Sequence, residues 1–313
     1  MPTSASDTAR RKLVVTGAHG FVAGSVLGQA GADWQVHAVS RGQALAGRDN
    51  WQWHSCDPLA PGELARLFRE VRPQAVIHTA AMADIDACQA KQDVARAVNV
   101  EYTRTLASLC TETGAKLVFC STDTVFDGEH APYSEDAPPG PVNFYAETKV
   151  EAEKLVSGLG AQGAIARLSL VVGLPVLGAG NSFLAKTIAS LKQGRAVAFP
   201  GHEVRTPVDV ITVGRALLEL AAGGQHGIFH LAGLSRVSRF EMAQTIARRF
   251  GFPQDLIKDQ GPATTPGRAP RPRDVSLDNR QTRAQLKTPM RTLDEGLSLI
   301  LEAAKHDDEN STA

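Results

Sequence analysis

Residues 12–30 read KLVVTGAHGFVAGSVLGQA. A short β-branched apolar run (12–16) meets glycines and small residues at 17–20, and a small, apolar stretch follows to Ala30. That order reads as strand, glycine turn, helix. In this setting the spacing Gly17-x-x-Gly20-x-x-Ala23 has a physical use. Glycines let the backbone turn sharply and approach a pyrophosphate, the helix start offers unpaired N–H groups, and Ala23 permits close helix-to-strand packing. The rhythm repeats outward. Residues 35–40 (QVHAVS), 75–79 (AVIHT), 116–120 (KLVFC) and 164–172 read as strands, with helical spacing over 62–71, 93–113 and 145–157. Strands alternating with helices imply an α/β fold with a doubly wound parallel sheet of the Rossmann type.

After Gly173 the alternation weakens, although 208–222 reads as helix and 227–231 as strand. The expected organisation is a dinucleotide-binding domain over 12–173, rejoined by 207–233. A smaller, discontinuous C-terminal substrate lobe is expected from 174–206 and 234–304, with polar tails at 1–11 and 305–313. Segment 261–273 (GPATTPGRAPRPR) is expected to be an extended loop.

With 313 residues the chain can bury about three quarters of its unfolded surface, so no disulfide or structural metal is needed. Thirty-three basic against 33 acidic residues give a formal net charge of zero, which calls for neither a nucleic-acid nor a membrane partner. The cysteines Cys56, Cys88, Cys110 and Cys120 form no C-x-x-C pair and read as buried thiols. Among the histidines, His54, His78, His202 and His230 show no metal-ligand spacing, so no metal is assigned. No G-x-S-x-G elbow is present, so a hydrolase lacks its nucleophile. Residues 1–12 are polar, without the apolar core of a leader, so a cytoplasmic location is expected.

The second strand ends at Ser40-Arg41, where many NAD-binding chains carry an acidic residue. A hydroxyl and a guanidinium can hold a 2′-phosphate that a carboxylate would repel. The expected cofactor is therefore NADP(H), with NAD(H) as the alternative if Arg41 is a solvated loop charge. Asp57 reads either as an acceptor for the adenine amine or as a turn residue before Pro58. Tyr145 and Lys149 stand four apart, so on a helix they share a face. A neighbouring ammonium favours the phenolate and brings proton exchange closer to neutral pH.

Glycine turn, Ser121-Thr122, Tyr145 and Lys149 stand in the order and spacing of the extended short-chain dehydrogenase/reductase superfamily, which the chain resembles. STDTVFDG (121–128), PYSED (132–136), NSFLAKT (181–187), GIFHLAG (227–233) and RPRDVSLD (271–278) are similar to segments of its dTDP-4-dehydrorhamnose reductase branch. The resemblance implies that Tyr145 protonates a substrate carbonyl as nicotinamide delivers hydride. It implies that Lys149 assists and holds the nicotinamide ribose, that Thr122 bonds the reacting oxygen, and that Asn99 positions the lysine through water. It places Gly17, Gly20, Phe21, Val22, Ala80, Ala81 and Met82 at the cofactor, and Asp123 and Arg205 at the substrate, although Arg205 also fits a surface ion pair. Arg268, Arg271 and Arg273 read either as a diphosphate clasp or as a solvated loop. The branch often forms homodimers through helices equivalent to 93–113 and 145–157.

Thr124, Leu170 and Val171 depart from the branch's aromatic sugar wall, so the expected substrate is a nucleotide-linked 4-keto sugar or a related small ketone or aldehyde. Asp123-Thr124 replaces the Asp-Glu pair of related dehydratases. An epimerase and a non-catalytic nucleotide-binding regulatory subunit are the alternatives.

Overall fold

A computed structural model describes residues 10–45, 50–177, 182–261 and 268–311, with side chains to 305. Seven strands make the central sheet: β1 (Arg11–Thr16), β2 (Trp34–Ser40), β3 (Trp51–Ser55), β4 (Ala75–His78), β5 (Lys116–Thr122), β6 (Gly163–Leu168) and β7 (Gly227–Leu231). All pair in parallel in the order β7-β6-β5-β4-β1-β2-β3. The longer helices are α1 (Phe21–Gln29), α2 (Glu63–Val71), α3 (Tyr102–Thr113), α4 (Phe144–Ser157), α5 (Phe183–Lys192), α6 (Val210–Ala222), α7 (Arg239–Arg249) and α8 (Leu293–Ser311).

Successive strand residues point to opposite faces, and both faces are covered, which is why the strands read as unbroken apolar runs. Leu13, Val15, Val36 and Ala38 pack with Val26 of α1 and Leu217 of α6. Val14, Val39, Val76 and Phe119 pack on the other side with Phe68 of α2, Leu106 of α3 and Val156 of α4. The chain runs β1, β2, β3 outward, then returns to place β4 on the opposite side of β1. The strand order therefore reverses between β1 and β4, and a crevice opens beyond their carboxyl ends.

Three departures from the sequence reading have local causes. The strand expected over 164–172 ends at Leu168, where Ser169 N pairs with Leu231 O; Val171–Val172 instead pairs with Val208–Asp209. The helix expected over 93–113 carries a π-turn at Ala97–Glu101. The tail expected from 305 continues α8 to Ser311. Residues 1–9 of the other expected tail, and 262–267 of the expected loop, lie outside the described residues.

Beyond Gly173, Leu184 and Ile188 of α5, Met242 and Ile246 of α7, and Leu297 and Ile300 of α8 share a separate core. Leu286 and Met290, although within 234–304, pack into the main sheet's core. Among the described residues no helix is long and apolar enough to cross a membrane.

Candidate functional site

The crevice at the strand-order reversal is a cleft of about 350 Å³. Gly17, His19, Gly20, Ser40, Arg41, Cys56, Thr79, Ala80 and Ala81 are among the residues lining it. Gly17 holds φ +68, and a β-carbon there would stand 2.8 Å from Ala80 N and Cα, so β1 and β4 approach this closely because the position lacks a side chain. Gly20 caps α1 without any side-chain bond. The first N–H groups of α1, including those of Phe21 and Val22, thus have no helical or side-chain partner, and Gly20 before them lines the cleft. Helices α4, α5 and α6 by contrast begin on Asn143, Ser182 and Asp209 side chains.

Arg41 is exposed on the cleft rim and has no hydrogen-bond or ion-pair partner among the described residues. Ser40 Oγ lies 2.5 Å from His19 Nδ1. His19 escaped the sequence reading because only its neighbours, Gly17 and Gly20, carry a pattern. Asp57 is exposed between the cleft-lining Cys56 and Pro58, and its Oδ1 accepts from Leu59 N at 3.1 Å, as in a turn.

The second group of residues stands at the carboxyl end of β5 and the start of α4. Asn143 accepts from Ala146 N at 2.9 Å, which starts α4 and orients Tyr145 and Lys149 on its buried side. Tyr145 is 9% exposed and packs with Cys88 and Met82. Its phenol faces Asp123, Thr122, Cys88 and Cys120, and burial holds it well above the ordinary tyrosine range. Lys149 is directed elsewhere: its Nζ donates to Cys120 O at 2.7 Å and sits 4.0 Å over the Phe119 ring. Burial brings this amine down to about 8. The expectation that the ammonium favours a phenolate is thus corrected, since desolvation governs and the phenol keeps its proton at neutral pH.

Asn99 is buried and fully bonded at its amide nitrogen. Its Oδ1 accepts from Met82 N at 2.8 Å, while Nδ2 donates to Met82 O at 3.1 Å and to Thr148 Oγ1 at 3.0 Å. The side chain therefore ties the β4-end loop to α4. Its backbone lies in the π-turn, a local widening of the helix that turns Asn99 inward.

Thr122 Oγ1 lies 3.3 Å from Asp123 Oδ1 and 3.0 Å from Thr124 Oγ1. Asp123 is buried, which raises its pKa, while Arg205, Ser169 and Thr122 oppose that shift. Arg205 is buried too, with Nε 3.7 Å from Asp123 Oδ2 and Nη1 donating to Val204 O at 2.7 Å. The surface ion-pair reading of Arg205 is set aside, because residues 272–273 cross over it and offer their carbonyls. In the same segment Arg271 makes a two-pronged contact with Asp86, at 2.7 and 2.8 Å, and Arg268 reaches Glu203 at 3.4 Å.

The remaining buried histidines are structural. His78 sits between Thr16 Oγ1 (2.7 Å) and Thr103 Oγ1 (3.1 Å) and is held down to about 3 by burial. No group of three or more candidate metal ligands occurs among the described residues.

Comparison with known proteins places this geometry. Residues 11–306 match the family model described as the RmlD substrate binding domain. The chain is 30% identical over 299 residues to dTDP-4-dehydrorhamnose reductase of Mycobacterium tuberculosis, covering 93% of each. It is 30% identical over 276 residues to methionine adenosyltransferase 2 subunit beta of Pongo abelii, covering 86% of this chain and 80% of that one. Among solved structures, dTDP-4-dehydrorhamnose reductase from Bacillus anthracis in complex with NADP superposes with a TM-score of 0.84 at 22% identity, covering 94% of this chain and 99% of that one. The chain therefore belongs to the RmlD substrate binding domain family, within the extended short-chain dehydrogenase/reductase superfamily of nicotinamide-dependent oxidoreductases.

Proposed function

We propose that the protein is an NADPH-dependent reductase of a carbonyl compound, a nucleotide-linked 4-keto sugar or a related small ketone or aldehyde, with Tyr145 as proton donor. One observation carries the reading. A buried, protonated phenol beside Thr122 stands against Met82, one residue beyond Ala81 on the wall of the cleft at the strand-order reversal.

The residues of the cleft fit a dinucleotide. Gly17 leaves the backbone bare where a β-carbon would collide, and the uncapped start of α1 suits a pyrophosphate. Ala80 and Ala81 present small walls, and Ser40 with Arg41 suits a 2′-phosphate. When bound, the nicotinamide supplies a hydride to the carbonyl carbon. This chain's own residues do the rest. The Thr122 hydroxyl orients the carbonyl oxygen, and the Tyr145 phenol gives that oxygen its proton. Lys149 fixes the end of β5 through Cys120 O and stands one turn from the phenol. Asn99 holds Met82 between the two halves of the site. Asp123 and Arg205, paired with each other, lie on the substrate side.

The relationship to subunit beta of methionine adenosyltransferase 2 favours a second reading, a nucleotide-binding regulatory subunit without turnover. The two readings separate in one assay. Purified protein with NADPH is followed at the nicotinamide absorbance while keto-sugar nucleotides, ketones and aldehydes are added. The reductase reading expects oxidation with at least one keto-sugar nucleotide. NADPH binding without oxidation across the panel selects the subunit reading.

A further inference from the structure

At the rim of the cleft, His19 makes two contacts that decide its protonation. Its Nε2 lies 2.9 Å from Gln43 O, and its Nδ1 lies 2.5 Å from Ser40 Oγ. A carbonyl oxygen only accepts, so Nε2 carries hydrogen. In the neutral ring Nδ1 is then a bare lone pair, and the Ser40 hydroxyl must donate to it. Ser40 thereby presents only lone pairs to the cleft, the wrong face for an oxyanion. The imidazole is held in this pose by Trp53, whose ring packs edge-on at 4.7 Å, and by Gly42, where a β-carbon would stand 2.7 Å from the imidazole.

We propose that His19 is a specificity-determining residue for the 2′-phosphate. A proton from solvent joins Nδ1, the imidazolium donates to Ser40 Oγ, and the Ser40 hydrogen turns to a phosphate oxygen. Binding of the phosphorylated dinucleotide is thus coupled to proton uptake, and binding of the unphosphorylated one is not. The inference rests on the cofactor assigned above and adds a residue that the strand-end pair Ser40-Arg41 does not account for.

The other charged or titratable side chains lining the cleft are Arg41, Cys56 and Tyr102. Arg41 keeps a fixed charge. Burial pushes the Cys56 thiol up to about 11 and the Tyr102 phenol higher than its usual range. The packing partners Gly42, Gln43 and Trp53 carry no charge. Of these groups only the His19 ring is hydrogen-bonded to Ser40, so it is the group placed for the exchange.

The test is calorimetric titration of the full chain with NADP+ and with NAD+. It is run near pH 7.5, where a phosphate monoester with a second pKa of about 6 is already dianionic. Two buffers of different ionisation enthalpy give the protons exchanged. Net uptake is expected with NADP+ and none with NAD+. In His19→Gln the uptake disappears, and the NADP+ to NAD+ affinity ratio falls by about tenfold or more, the scale of one lost charge-assisted hydrogen bond. His19→Lys, with a fixed charge, should retain most of the preference without the uptake, and retained NAD+ binding shows that each variant is folded. Wild-type binding of NADP+ without proton uptake, or an unchanged ratio in His19→Gln, overturns this inference alone. Failure of the wild type to bind either dinucleotide overturns the reductase reading as well.

Discussion

Glu153→Gln is the substitution whose cost can be worked most directly from the structure. The Glu153 carboxylate accepts from Arg167 Nε at 3.0 Å and Nη2 at 2.8 Å, and from Ser121 Oγ at 2.5 Å. The two charged side chains are 6% and 2% exposed, so neither has water to fall back on. An amide in place of the carboxylate leaves the guanidinium buried without a counter-charge, and its NH2 meets an Arg167 N–H in either orientation, because Oε1 and Oε2 each accept from Arg167. Removing one partner of such a pair costs roughly 3–5 kcal/mol. Arg167 keeps the Glu135 carbonyl at 3.4 Å and the Phe126 ring at 5.0 Å, which argues for the lower end, about 3 kcal/mol. At about 2–4 °C per kcal/mol for a large domain, Tm falls by roughly 6–12 °C. Denaturant unfolding followed by fluorescence and circular dichroism measures the loss. The double variant Glu153→Leu/Arg167→Met, which leaves no unpaired charge, should be more stable than Glu153→Gln. A single-variant loss below about 1 kcal/mol, or a double variant worse than the single, would refute the reasoning.

Gly17→Ala forces a β-carbon into the Ala80 backbone at φ +68 and is expected to abolish dinucleotide binding; the left-handed backbone alone costs about 1–2 kcal/mol, measurable by unfolding. Arg41→Ala is expected to weaken NADP+ binding by roughly tenfold and NAD+ binding little, and equal effects in titration would return Arg41 to solvent. His78 is held neutral in the fold, down to about 3 from an ordinary value of 6.5, so the unfolded chain binds its proton first. Its stabilisation is complete above 6.5 and is lost as pH falls toward 3, at about 1.4 kcal/mol per pH unit. Other buried histidines, His37 and His230, add their own slopes in this window, so unfolding should be steeper in pH for the wild type than for His78→Gln by about 1.4 kcal/mol per unit; identical slopes would contradict it.

Residues 12–30 announced their strand, turn and helix because local chemistry decides all three: β-branched residues, a positive-φ glycine and a helix start. The shared face of Tyr145 and Lys149 was legible for the same reason, since four residues make about one helical turn. What those two residues point at was not legible. Lys149 meets Cys120 O from a strand 29 positions earlier, and the phenol's protonation follows from burial that spacing does not encode. Arg205 reads as surface until residues 272–273, 67–68 positions on, are seen to cover it. Asn99 depends on a π-turn within a sequence of ordinary helical periodicity. The turn at Asp57 was legible from Pro58 beside it, and Leu59 N, two residues on, bonds its carboxylate. Helices α5, α7 and α8 bury their apolar faces against one another rather than on the sheet, so the strand-helix alternation that revealed the first half gave no guide there.

The central claim is that the Tyr145 phenol delivers the proton as the carbonyl is reduced. Single-turnover oxidation of bound NADPH by a keto-sugar nucleotide, compared between wild type and Tyr145→Phe, tests it most directly. The account predicts that the variant binds NADPH with unchanged affinity and oxidises it about 10²–10⁴-fold more slowly. A Tyr145→Phe protein that turns over at the wild-type rate would contradict it.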